Sequence, residues 1–233
     1  MEELENRIKE VFENYCAEYR RIFERESRFK PWANEKRYSI HEANQVANFL
    51  SFYRHHTKVS KDCVTWMEFA IPYKKGESSR TNHVDGLILD GNKVVFIEAK
   101  RFSRVDDKKT ELKDDLKSLC ELTSDEGCIN KLKDRVSLGC GEFYCLLLVD
   151  YWVHRRSSTW KREGDEIEIA TLKVRWKNVV NGYKDELSVL HKDLDVSDED
   201  FDVQMIWDGN YHLAYALFKL KDFYPGSSFK RNF

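Results

Sequence analysis

The chain has 233 residues, enough for one large domain or two small ones, and 41% of them are hydrophobic, so a sizeable core is available. Only 3 Pro and 10 Gly are present, which excludes a disordered or repetitive chain. Charged residues reach 34% but nearly cancel to a net charge of −2. That balance excludes a globally basic nucleic-acid binder, so any phosphate-binding surface has to be a local patch.

No run is long and apolar enough to span a bilayer, and Met-Glu-Glu-Leu-Glu-Asn-Arg at the start has no signal-peptide character, so a cytoplasmic protein without a membrane partner is expected. Cys16, Cys63, Cys120, Cys128, Cys140 and Cys145 include no Cys-x-x-Cys pair. They are read as reduced thiols, not as a zinc or redox motif.

Residues 2–26 are predicted to be an amphipathic helix, because Leu4, Ile8, Val11, Tyr15, Tyr19 and Ile22 recur at three- and four-residue steps. The face covers a core or, alternatively, a dimer partner. Lys30-Pro31-Trp32 breaks the pattern. A second helix is predicted from Ser39, where Ser39 and Glu42 have capping-box spacing, and Ala43, Val46, Ala47, Leu50 and Tyr53 form its apolar face to about residue 55. Residues 63–73 are rich in strand formers, and 74–81 read as a polar loop. A hairpin is predicted over 83–101, a helix over 108–122, a short helical segment over 129–136, and a strand buried on both faces over 143–153.

Past residue 155, Ile167–Trp176 alternates like a strand, 193–202 reads as an acidic loop or helix start, and 203–207 with 211–218 read as a second hairpin around Asp208-Gly-Asn. The fold class expected is α/β (α+β), a mixed central sheet flanked by helices. It is expected as a single domain over 1–233, with an N-terminal helix in 1–38, a core in 39–153 and a β-rich C-terminal elaboration in 154–233.

The hairpin carries the candidate chemistry. Asp85 interrupts its first apolar strand, and Glu98 and Lys100 interrupt its second, where buried charges are costly unless paired or bound to metal. With a two-residue turn at Asp90-Gly91, Asp85 faces Phe96, His83 faces Glu98, and Asp85 and Glu98 are diagonal neighbours about 7–8 Å apart on the face that Lys100 shares. A three-residue turn would put Asp85 on the other face. Two carboxylates and a backbone carbonyl suit Mg²⁺ or Mn²⁺, and a lysine beside them can stabilise charge on a phosphate.

Asp85 followed by Glu98-Ala99-Lys100 at the end of an apolar strand resembles the PD-(D/E)xK nuclease superfamily, with its restriction-endonuclease-like fold. The likeness runs over residues 39–153, where the order of helix, three antiparallel strands, helix and strand is similar. The resemblance implies a metal-dependent phosphodiesterase, an endonuclease acting on DNA, with Asp85, Glu98 and the Ala99 carbonyl as metal ligands and Lys100 as the catalytic lysine. It also implies a further acid, Glu42 from the helix before the sheet or Glu68 from the first strand. Val84 stands where the family name has Pro, and 108–122 lacks the Gln-x-x-x-Tyr pattern of the RecB-like branch.

Nucleic-acid contacts are expected from Arg101, Arg104 and Lys108 after the site, and from Arg155 and Arg156 beside Trp152 and Trp160. Three alternatives stay open. The chain could be a nuclease-fold module without catalysis, or one assembling with itself or a partner protein. It could also be a structural domain in which Asp85, Glu98 and Lys100 form an internal salt bridge.

Overall fold

Helices Glu2–Glu26 (α1) and Glu42–His55 (α2) precede three strands, Val64–Lys75 (β1), Ser78–Asp90 (β2) and Lys93–Phe102 (β3). Helix Lys109–Ser124 (α3) leads to strand Gly141–Trp152 (β4), and helix Ile169–Ser188 (α4) to strands Phe201–Trp207 (β5) and Tyr211–Phe223 (β6). This computed structural model describes residues 2–26, 42–56, 59, 61–75, 78–102, 109–124, 130, 141–152, 169–189, 191–207 and 211–223.

The strands form one mixed sheet in the order β1-β2-β3-β4-β6-β5. Neighbours are antiparallel except β3 and β4, which run parallel, as a crossover through a helix allows. Alternation along the central strands divides the core into two layers. Val95, Ile97, Ala99, Leu146, Leu148 and Leu213 point to the face covered by α1 and α2. Val94, Phe96, Phe102, Leu147, Val149 and Ala216 point to the face covered by α3 and α4. The fold is therefore α+β, a mixed sheet between two pairs of helices. Among the described residues, no helix is long and apolar enough to cross a membrane.

The α1 periodicity holds through Tyr19, with Phe12 and Cys16 joining the buried face, but Ile22 is exposed. Buried Val46, Phe49, Leu50 and Tyr53 define the inward face of α2. Ser39 lies outside the described residues, as do the breaker 30–32 and all of 129–136 except Asn130. The described cysteines, Cys16, Cys63, Cys120 and Cys145, are free.

Two expectations are corrected. Residues 74–81 are mostly strand, because the β1–β2 ladder continues to Lys75–Ser78. Ile167–Trp176 is not a strand: α4 starts at Ile169. Leu172, Trp176, Val179, Val180, Tyr183 and Leu187 are buried at helical spacing, whereas Val174, which completed the apparent alternation, is 58% exposed. The second hairpin forms as expected from β5 and β6, and β6 also pairs with β4 along its whole length.

Candidate functional site

The hairpin turn is two residues long, but it is Gly91-Asn92, not Asp90-Gly91: Asp90 pairs with Lys93, and Leu89 with Val94. Gly91 supplies the positive φ (62°) that such a turn requires at its first central position. Asp90 is not free to turn. It is 5% exposed, ion-paired to Arg7 of α1 and hydrogen-bonded by the Tyr53 hydroxyl of α2 at 2.8 Å. The other side of the turn is fixed by the Asn92 carbonyl, which accepts from the Glu142 amide at 3.0 Å. A Cβ on Gly141 would come within 2.7 Å of that carbonyl, so β4 approaches the turn closely because position 141 has no side chain.

This shift of register moves both strands by a whole two-residue period, so the faces are unchanged. The β2–β3 ladder ends at Gly86–Ile97. One step further, Asp85 lies across from Glu98 directly, not diagonally. His83 is exposed and pairs with Ala70 on β1, so it does not face Glu98. Gly86 seats α2, since a Cβ there would meet Val46 Cγ1 at 2.7 Å.

Beyond this point β2 and β3 are no longer paired, and the Asp85 carboxylate occupies the fork. Its Oδ2 accepts the Ala99 amide at 2.8 Å. Glu98, on the face of Phe96 and Phe102, is 6% exposed. Burial pushes its carboxyl up to about 9, reinforced by the charges of Asp85 and Asp115 and opposed by Lys100. Glu98 therefore holds a proton at neutral pH and donates it in a hydrogen bond to Asp85. Lys100 lies 2.8 Å from Asp115 Oδ2 on α3. Burial works to lower the Lys100 ammonium, but the hydrogen bond and charge of Asp115, with Glu98 and Asp85 behind it, raise it. Lys100 is thus ion-paired to Asp115 and lies within the electrostatic reach of Glu98 and Asp85.

Asp115 is the residue that the sequence reading missed. Its signal was present: Leu112, Asp115, Leu116 and Leu119 follow i, i+3, i+4, i+7 spacing, so an acid occupies a core-facing position of the helix.

The remaining candidates are dispersed. Glu68 falls across from Asp85 in the β1–β2 register but has a positive φ of 50°, interrupts the ladder between Met67–Gly86 and Phe69–Val84, and has an exposed side chain. Arg101 points to the α1–α2 face, where its Nε is 3.3 Å from buried Asp150. Glu42 begins α2, and its side chain lies outside the described residues, as do Arg104, Lys108, Arg155 and Arg156.

Among the described residues, no group of three or more His, Cys, Asp or Glu side chains is placed to hold a metal. Asp85 and Glu98 are two carboxylates at hydrogen-bond distance, with the Ala99 carbonyl on the strand between Glu98 and Lys100. That donor set fits a hard cation such as Mg²⁺, which commonly takes one or two protein carboxylates and keeps several waters. It does not fit an ion that needs a full protein cage. No protein-family model, curated protein or solved structure matches the chain.

Proposed function

We propose that the chain is a divalent-metal-dependent nuclease of the PD-(D/E)xK kind, hydrolysing phosphodiester bonds in DNA. The observation that carries this reading is the fork: a buried Glu98 facing Asp85, with Lys100 two residues on and on the same face. Further support comes from the element order, with antiparallel β1-β2-β3, a crossover α3 and a parallel β4, which is the order the sequence resemblance implied.

The chemistry follows from the donors. Glu98 and Asp85 are the residues that would hold an ion, and Glu98 would have to give up its proton to do so, because ligands bind metal in their deprotonated form. Such an ion, Mg²⁺ or Mn²⁺, supplies Lewis-acid polarisation of a phosphoryl oxygen when bound. Lys100 contributes a positive charge toward the oxygens where negative charge develops. Asp115 fixes the direction of the Lys100 chain, and Asp85 is itself fixed by the Ala99 amide.

The test is cleavage of plasmid and linear DNA in Mg²⁺ or Mn²⁺. Asp85→Asn and Lys100→Ala are each expected to reduce the rate by two or more orders of magnitude with the fold intact by circular dichroism. Full activity in either variant would sink the assignment. A second reading, a nuclease-fold module that binds nucleic acid or a protein without cleaving, is favoured because no group of three or more acids is placed to hold a metal among the described residues. Absence of Mn²⁺ binding that depends on Asp85 would select it.

A further inference from the structure

Trp66 is 58% exposed on β1, an unusual position for an indole in a chain with an ample core. Strand β1 is at the edge of the sheet. In a regular strand, residues 66 and 69 would point to opposite faces. Here their rings meet edge to face, with centroids 6.4 Å apart and planes at 79°. The left-handed backbone at Glu68 (φ 50°) is what turns both to one side. Their partners on β2, Leu87 and Val84, belong to the α3–α4 core layer and bracket Asp85. Trp66 is thus a diagonal neighbour of Asp85, with Cα atoms about 7–8 Å apart in ordinary antiparallel geometry.

A left-handed non-glycine residue costs free energy and is retained where the surroundings impose it, often beside functional sites. At Glu68 its product is an aromatic shelf next to the acidic fork. We propose that Trp66, steadied by Phe69, is a stacking platform for an unpaired nucleobase of the strand that enters the Asp85–Glu98 site. The inference rests on the nuclease reading and adds a substrate feature to it, namely single-stranded or frayed nucleic acid next to the scissile phosphate. A second copy of the chain is the competing occupant of an exposed edge. The break in the β1 ladder and the exposed Glu68 carboxylate oppose it, since bulges and charges are the devices that block edge-to-edge pairing.

The test uses the full chain and a short oligothymidylate, with binding followed by tryptophan emission in EDTA and, on stopped-flow mixing, in Mg²⁺ before turnover. Stacking on one aromatic ring corresponds to about tenfold or more in affinity. Trp66→Ala is expected to raise Kd about tenfold at unchanged melting temperature. Trp66→Phe is expected to retain most of the affinity while losing the part of the quench that comes from Trp66. A blunt duplex is expected to quench weakly. Equal binding by wild type and Trp66→Ala, or a full quench in Trp66→Phe, overturns the proposal. So does sedimentation showing a wild-type dimer that Trp66→Ala dissociates, which would assign the edge to a second copy. Asp85-dependent cleavage with unaltered Trp66→Ala binding refutes the platform alone. Trp66-dependent binding without metal-dependent cleavage refutes the nuclease reading alone.

Discussion

His212 gives the sharpest prediction about stability. It lies on β6 between Tyr151 of β4 and Met205 of β5, is 0% exposed, and neither ring nitrogen has a hydrogen-bond partner among the described residues. Burial alone lowers its pKa from 6.5 to about 4. Above pH 6.5 the ring is neutral folded and unfolded, so it contributes no pH dependence. Between pH 6.5 and about 4 the unfolded chain takes up a proton that the native state refuses, so stability falls as pH falls. The slope is about 1.4 kcal/mol per pH unit, which accumulates to about 3 kcal/mol across that window. Glu98 acts in the opposite sense: its native pKa is raised, so its contribution is present at low pH and is lost as pH rises. The wild-type profile alone therefore mixes two slopes.

The substitution His212→Phe separates them by keeping the ring shape and removing both unpaired nitrogens. Urea unfolding of both proteins from pH 5 to 8, followed by circular dichroism, is the assay. At pH 7.5 the variant should be as stable as wild type or somewhat more so. By pH 5 its advantage should have grown by about 2 kcal/mol. A difference between the two proteins that stays constant over this range would refute the reasoning, because it would mean that His212 does not resist protonation in the folded state.

Two further outcomes are expected. Glu68→Gly should stabilise the protein by about 1 kcal/mol, because glycine adopts the left-handed conformation without the side-chain penalty, whereas Glu68→Ala should not; thermal melts that rank the two the other way would argue against strain at this position. Arg7→Met should cost about 3–5 kcal/mol by leaving Asp90 buried without its cation, and adding Asp90→Leu should recover most of that loss. Chemical denaturation of the single and double variants measures both, and an additive double variant would contradict the coupling.

Much of the fold was legible because its signals are local. The Leu4–Tyr19 stripe, the Leu112–Leu119 stripe and the apolar run of β4 each report their own burial. What failed depended on distant partners. Asp90 looks like a turn residue until Arg7 and Tyr53, far away in sequence, hold it in the strand. Residues 167–176 alternate by coincidence, and only the continuation through Val180 and Leu187 shows the helical period. The Asp85–Glu98–Lys100 grouping survived the error in the turn because the register moved by a full strand period. Asp115 was hidden because its helix is dense in charge, so one acid at an inward position did not stand out from those facing solvent.

The position of β6 sets the order in which the protein can be completed. Strand β4 is central and almost wholly apolar, yet one of its two ladders is made with the last described strand. During synthesis, residues 153–210 must emerge before that edge finds its partner, and until then the chain presents a long strand edge, apolar from Phe143 to Val149, to its surroundings. Closure over so long a separation is slow, and an open edge of this kind recruits other chains. Truncation before Tyr211 should therefore yield aggregates instead of a smaller soluble domain, even though every residue of the acidic fork would still be present.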